Sequence, residues 1–417
     1  MLLSVEDAQT AILKALMPSG KVLHQPLTEA YGYLLAEDIT ARDDIPPFTN
    51  TSMDGFAVRA ADVATASREH PVVLTIQGTI RAGHPVHDAL KPGHCFKIMT
   101  GAPVPGTADA VVPIEWTDPV GGGTQVAVRQ PASPGLYLRQ RGEDMARGTR
   151  VLQKGTPLTA PVIGMLATLG VSRVPVVAPP KVAILSTGDE LREPDEPLTP
   201  GTIRNSNAYA LYAAVREAGG EPVLFPKAAD DPEAIRQRFV DAATSCDLLV
   251  SSGGVSVGDF DYVKSVIESL GQLTLWRVNV KPGKPLTFGH VLNTPVMGLP
   301  GNPVSALVTF ELFVRPAIRT ILGDLNWPRP VVRLPLARDF TLVEDRRHYV
   351  RSRLLVSDGT LYLWPHDNQG SAVQTSWQDV DALMIVPEHT GPYHVGDRLD
   401  ALLLSLQHVR PDASHIS

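Results

Sequence analysis

The sequence predicts a multidomain α/β plus β protein: a central doubly wound α/β domain, two β-rich domains and a small linking domain. Three observations predict this. Between Lys181 and Leu322, short apolar strands alternate with helical stretches, the pattern of a mostly parallel sheet covered on both faces. On either side, over residues 45–144 and 327–417, short apolar runs are broken by Gly, Pro and Asp turns, the texture of small β-domains. The chain has 417 residues, enough for several domains of ordinary size.

The elements follow in order. Ser4 caps a helix, with Asp7 three residues on in capping-box position, and Ala8, Ile12 and Leu16 form its apolar face. Met17-Pro-Ser-Gly20 ends it. Residues 1–25 are expected to pack as a helical segment on the α/β domain. A second helix is expected at Thr28–Ala36. Residues 26–44 together with 145–177 are assigned to the linking domain, which includes a helix near Ala160–Thr168 and ends in Pro179-Pro180. The first β-rich domain contains Val72-Val-Leu-Thr-Ile, Cys95-Phe-Lys-Ile-Met, Ala110-Val-Val-Pro and Gln125-Val-Ala-Val.

The α/β domain, placed at 178–326, alternates strands at Val182–Leu185, Pro222–Phe225, Asp247–Val250, Leu275–Val280 and Pro295–Leu299 with helices. The helices are expected at Asn207–Ala218, Glu233–Thr244, Tyr262–Leu270 and Pro303–Leu322. Asp231-Pro232 and Asn302-Pro303 each read as an N-cap followed by Pro at the first helical position.

Composition excludes several classes. Hydrophobic residues make up 43% and charged residues 19%, an ordinary globular balance. The net charge is −7, and no Lys/Arg run exceeds a pair, so nucleic acid is not an expected partner. Cys95 and Cys246 fit neither a disulfide framework nor a zinc site, and both read as buried small hydrophobes. The N-terminus lacks the basic start and long apolar stretch of a signal peptide. No run approaches the roughly 18 apolar residues of a membrane span. A cytoplasmic protein is expected.

Ligands of doubly wound sheets sit beyond the carboxyl ends of the strands, and four such ends carry unusual loops. Ser186-Thr187-Gly188-Asp189-Glu190 offers hydroxyls and backbone N–H groups to a phosphate, with carboxylates for Mg²⁺ or a sugar hydroxyl. Ser251-Ser252-Gly253-Gly254-Val-Ser256-Val-Gly258-Asp259-Phe-Asp261 combines glycines that permit positive φ with serine donors and a following helix N-terminus. Asp259 and Asp261 read as helix caps or as metal ligands. Lys281-Pro-Gly-Lys284-Pro285 holds two lysines in a stiff loop, expected in an acidic chain to meet an oxyanion. Gly298-Leu-Pro300-Gly301-Asn302-Pro-Val-Ser305 opens a long helix whose free N–H groups also face an anion. Each loop alone reads equally well as an ordinary turn or cap. Four on consecutive strand ends point to one anionic-ligand site. Neither a Walker A nor a GxGxxG pattern is present. Outside this domain, Thr51–Val58 with Asp54, Met99–Pro105 with Thr100, and Arg141-Gly-Glu-Asp144 are braced turns. Arg346, Arg347 and Arg351 lie near a strand start and Gln369-Gly-Ser371 in a turn.

Together these segments resemble the molybdopterin molybdenumtransferase (molybdenum insertase) family, which includes the C-terminal domain of gephyrin. The resemblance runs from Ser4 to about Ser371, through Asn50–Arg59, Met99–Pro105, Arg141–Asp144, Ser186–Glu190, Ser251–Tyr262, Lys281–Pro285 and Leu299–Ser305. Thr49, Phe56 and His348 depart from the family's usual Asp, Tyr and Glu. The resemblance implies a molybdopterin-binding α/β domain that receives adenylylated molybdopterin. It implies insertion of molybdate with release of AMP, assisted by Mg²⁺. It also implies an elongated homodimer in which Asp54 and Thr100 of one subunit reach the site of the other, with Asp144 in the same substrate-binding set. The chemistry of the loops then assigns Lys281, Lys284, Pro285, Arg351 and Ser371 to molybdate. Glu190, Asp230 and Asp261 are assigned to Mg²⁺, and these three carboxylates with the two lysines to catalysis. Two other readings are weighed against this one: the preceding adenylylation of molybdopterin, and a non-catalytic scaffold. The extra β-rich domains disfavour the first; the intact Lys and Asp positions disfavour the second.

Overall fold

The computed structural model describes residues 2–254, 262–324, 326–342, 345–406 and 409–411. The backbone divides into two compact units. One comprises Met1–Leu23, Gly32–Leu34 and Val176–Ser417; the other comprises His24–Tyr31 and Leu35–Pro175.

The first unit begins with helix α1 (Val5–Lys14), whose N-cap Ser4 accepts the Asp7 N–H. Val5, Ala8 and Ile12 are its buried stripe. The α/β domain follows the expected alternation. It runs β1 (Lys181–Ser186), α2 (Ser206–Glu217), β2 (Glu221–Leu224), α3 (Pro232–Ser245), β3 (Leu248–Ser252), α4 (Tyr262–Leu270) and β4 (Gly271–Trp276), then β5 (Thr287–Val291), β6 (Thr294–Leu299), α5 (Pro303–Thr309) and α6 (Arg315–Ile321). The strand order is β2-β1-β3-β6-β5-β4. The first four are mutually parallel, and β5 and β4 add antiparallel. Leu185, Leu249, Val296, Ile235, Phe239 and Val263 interlock in one core between sheet and helices.

Two expected elements change here. The strand expected at Leu275–Val280 instead runs Gly271–Trp276 and stops where Arg277 takes φ 128°. A separate short strand, Val280–Lys281, pairs with the C-terminal sheet. The single helix expected at Pro303–Leu322 is two α-helical segments joined by a π-helical turn at Phe310–Val314.

The C-terminal domain is a sheet of β7 (Val331–Pro335), β8 (Arg347–Ser357), β9 (Thr360–Pro365), β10 (Ala382–Val386) and β11 (Arg398–Leu403). Val280–Lys281 forms one edge, in the order Val280–Lys281, β8, β10, β11, β7, with β9 also on β8. Val350, Leu354, Leu363, Met384 and Ala401 build its core.

The second unit contains a six-stranded sheet in the order Ala110–Pro113, Gly55–Val58, His94–Ile98, Val72–Ile80, Gln125–Val128, Thr117–Val120. Its alternating side chains bury Val58, Leu74, Cys95, Val112, Val126 and Val128 on one face. The two segments of the expected linking domain meet here. Ile39–Thr40 pairs with Arg150–Leu152, and the Ile45 N–H donates to Met145. The helix expected at Thr28–Ala36 is absent: only Leu27–Glu29 forms a single 3₁₀ turn. Gly32 at φ 84° and the extended pairing of Leu35 with Thr156 divert the chain. Among the described residues no helix is long and apolar enough to cross a membrane.

Candidate functional site

A cavity of about 430 Å³ opens at the carboxyl ends of β1, β3 and β6. Its lining includes Thr187 and Glu190 after β1, Ser252 and Gly253 at the end of β3, and Gly301, Asn302 and Pro303 at the start of α5. Parallel strands in register bring these ends together: Ser186 is level with Ser252, and Ser252 with Leu299. Gly253, at φ 92°, donates its N–H to Leu299 O, and Gly301 lies close against it. Side chains at either position would narrow the cavity floor.

The sequence reading missed one wall. Arg204, Asn205, Ser206 and Asn207 line the cavity at the start of α2. Asn207 Nδ2 donates to Ser252 Oγ at 2.8 Å and to Gly301 O at 2.7 Å, tying the ends of β3 and β6 to α2. Asn205 buries its side chain against Ser186 Oγ at 3.2 Å and Glu193 Oε1 at 3.3 Å. Ala372 and Gln374 of the C-terminal domain close the far side, and Gln374 Nε2 donates to Ser206 Oγ at 2.7 Å. Asn205, as N-cap residue of a helix that follows a strand, was the available signal for this wall.

The four loops meet differently from one another. Asn302 stands at the N-cap position of α5, yet its side chain caps nothing. Its Nδ2 instead donates to Ser371 Oγ at 2.9 Å, while the Val304 N–H donates to Ser371 O at 3.1 Å. The N-terminus of α5 is therefore joined to the loop that carries Ser371. That loop is held by Arg351, fully buried, whose Nη2 donates to Asn368 O at 3.0 Å and Gly370 O at 3.3 Å. Arg351 Nε and Nη1 are buried with no hydrogen-bond partner, and burial pulls the guanidinium pKa down to about 10. Lys281 pairs in the sheet with His348, three residues before Arg351. Gly283, at φ 114°, sits so near α5 that a Cβ there would meet Thr309 Cγ2 at 2.4 Å, so the lysine loop packs on that helix. Lys284 is exposed, and its carbonyl accepts the Val278 N–H. Pro285 is half-buried and Pro300 buried.

At the β1 end, Asp189 and Asp230 hold each other: the Asp189 N–H donates to Asp230 Oδ2 at 3.3 Å and the Asp230 N–H to Asp189 Oδ1 at 3.2 Å. Gly188, at φ 138°, leaves room for the Glu190 carboxylate, which a Cβ would meet at 2.5 Å. Asp189 and Asp230 thus stand together at this strand end, with Glu190 beside Asp189 in the chain; among the described residues no three His, Cys, Asp or Glu side chains are grouped to hold a metal ion. Among the described residues none of the three has a salt bridge.

Other expected residues are placed as follows. Ser186 and Ser251 are buried in the sheet rather than lining the cavity, and Ser251 Oγ lacks a partner. Gly254 stands beside Gly253, its φ at 67°, and Ser305 is buried in the first turn of α5. Ser256, Gly258, Asp259 and Asp261 lie outside the described residues. In the second unit, Asp54 Oδ1 accepts the Thr100 N–H at 2.7 Å and its hydroxyl at 2.9 Å. Both bonds hold the carboxyl below its ordinary range. Asp144 is an exposed turn residue there, its N–H donating to Ile45 O.

Three stretches of the chain match known families. Residues 3–170 match the MoeA N-terminal region (domain I and II), 183–320 a "probable molybdopterin binding domain", and 333–404 the MoeA C-terminal region (domain IV). Molybdopterin molybdenumtransferase 2 of Mycobacterium tuberculosis is 40% identical over 367 residues, 86% of this chain and 89% of that protein. Molybdopterin molybdenumtransferase of Bacillus subtilis is 38% identical over 381 residues, covering 91% and 89%. Among solved structures, a molybdopterin biosynthesis MoeA protein of Pyrococcus horikoshii superposes with a TM-score of 0.84 at 29% identity, covering 97% of this chain and all of that one.

Proposed function

We propose a role for each wall of this cavity on the premise that the chain belongs to the molybdopterin molybdenumtransferase family. The protein is a transferase that places molybdenum on molybdopterin, the closing step of molybdenum cofactor biosynthesis. The observation that carries the residue-level reading is the joining, through Asn302 and Ser371, of a glycine-lined cavity to a buried arginine with two unpartnered nitrogens. The cavity then serves one anion and the Ser371 loop beside it a second.

Adenylylated molybdopterin is the substrate in this reading. Thr187, Ser252, Gly253 and Gly301 hold its phosphate, and the N-terminal end of α5 beside them favours the charge. Lys281, Lys284, Arg351 and Ser371 receive molybdate and neutralise it beside the dithiolene, so that two anions approach without repelling each other. Glu190 and Asp230, with Asp261, would hold Mg²⁺, which supplies charge at the phosphate as AMP leaves. Asp189 positions Asp230 through the paired N–H bonds. A homodimer in which Asp54 and Thr100 of a second copy complete the site, and a cytoplasmic location, belong to the same reading.

Incubating the purified protein with adenylylated molybdopterin, Mg²⁺ and molybdate tests it. AMP release that depends on molybdate is expected. Absence of AMP under these conditions removes the reading, and ATP consumption without molybdate favours the adenylylating reaction instead.

A further inference from the structure

The C-terminal sheet holds cations that the reading above does not use. Along β8, Arg351 and Arg353 are two residues apart, and alternation in an unbroken strand sets both on the face opposite the domain core of Val350 and Leu354. Arg353 is level with Trp364 on β9, and the His366 N–H donates to Arg351 O one step further along. The Arg353 guanidinium lies 5.0 Å from the Trp364 ring centre, and the Arg338 guanidinium lies 5.2 Å from the same ring. Arg338 also donates to Asp367 and to Pro365 O. Arg338 Nε, Arg353 Nε and His366 Nε2 are all buried without a hydrogen-bond partner, as are Arg351 Nε and Nη1. Among the described residues neither Arg351 nor Arg353 has a salt bridge, and the Asp367 side chain that pairs with Arg338 is 89% exposed.

A run of buried, unpartnered nitrogens on one face of a sheet is costly unless an acceptor joins it. We propose that Arg338 and Arg353, which share the Trp364 ring, form with His366 and the adjoining Arg351 a second oxyanion site that takes a tetrahedral dianion of molybdate's class. Its role as a reservoir for Arg351 rests on Arg351 being a molybdate ligand; the binding itself does not. Both guanidiniums lie over the Trp364 ring, which leaves the Nε–H of each without a partner and open to an oxygen. Arg338 and Arg353 are half-buried and Arg351 is fully buried, so the row runs from near the surface to the interior. The groups facing His366 are Arg351 and Arg353 from β8, Arg338 from the segment after β7, and Asp379 from the segment before β10. Burial and the three arginines hold the imidazole below its ordinary range, and Asp379 opposes them. His366 is therefore neutral near pH 7, and an arriving dianion raises its proton affinity. Binding is coupled to proton uptake and weakens as pH rises.

The test is equilibrium dialysis of the full chain against molybdate without pterin, with molybdenum counted per chain. Two equivalents are expected for the wild type and one for Arg353→Met, which keeps an unbranched stem over Trp364. Arg353→Lys restores the second. Calorimetry in buffers of different ionisation heat should show proton uptake that His366→Gln abolishes. In turnover, Arg353→Met should raise KM for molybdate about tenfold, the loss of one charge-assisted bond, with kcat within about twofold. One equivalent in the wild type, or two in Arg353→Met, overturns the proposal. If Arg353→Met loses its fold by circular dichroism, Arg338→Gln is read by the same counts. Two equivalents without AMP release would leave this site standing and remove the catalytic reading, and the reverse result would do the opposite.

Discussion

Burying a guanidinium with two of its nitrogens unpartnered costs free energy, and Arg351 does so at the centre of the proposed molybdate wall. Replacing a buried, incompletely paired charge by an apolar residue of similar volume is often neutral or stabilising. Arg351→Met should therefore keep or raise Tm while losing molybdate-dependent turnover by at least about a hundredfold, the order of removing one charge-stabilising donor from an active site. A fall in both together would mark Arg351 as structural. Lys284 is exposed, so Lys284→Ala should leave the melting transition in place and remove turnover. Asp54 allows a pH test. Its carboxyl sits below the ordinary range because Thr100 donates twice to it. Its contribution is present above the unfolded-state value and is lost as pH falls through the lower folded value. Asp54→Asn should flatten the acid limb of a Tm-against-pH curve below about pH 4, the ordinary carboxylate range. An unchanged limb would show that the Thr100 bonds carry no linkage.

At the scale of elements, the site depends on how strand ends are tied. Asn207 bridges Ser252 and Gly301 through one amide, so Asn207→Leu should disorder the cavity floor more than the fold: substrate KM rises while Tm shifts little. A matching fall in Tm of many degrees would make Asn207 a core residue. The α/β alternation was legible because short β-branched runs and capped helices repeat over 181–322, and Asp231 caps α3 as its spacing implied. The 3₁₀ turn at Leu27–Glu29 was misread because Ala30, Leu34, Leu35 and Ala36 are apolar and imitate a helical face. Their burial comes from irregular and extended backbone, and only Gly32 marks the break. Asn302 shows the same limit at the site. Its cap position was readable, but its hydrogen bond to Ser371, 69 residues away, is a tertiary fact that no local pattern carries. Arg204–Asn207 were missed for a related reason, since they become a wall only when β3 and β6 lie beside α2.

For the whole molecule, a net charge of −7 means that an anionic substrate must find its cations in one place. The described structure gathers Lys281, Arg351 and the Arg338–Trp364–Arg353 stack in the unit that also holds the cavity. The second unit carries Asp54 and Thr100, and the homodimer reading assigns them to the site of another copy. Mixing inactive Asp54→Asn protein with inactive Lys284→Ala protein should then restore up to about a quarter of wild-type activity, because a mixed dimer contains one intact composite site. No restoration after subunit exchange would contradict the shared site. The most direct test of two adjoining anion sites is a crystal soaked in molybdate and measured at the molybdenum absorption edge. An anomalous peak bounded by Lys281, Lys284, Arg351 and Ser371 is predicted. Full occupancy elsewhere with no peak at those four residues would contradict it.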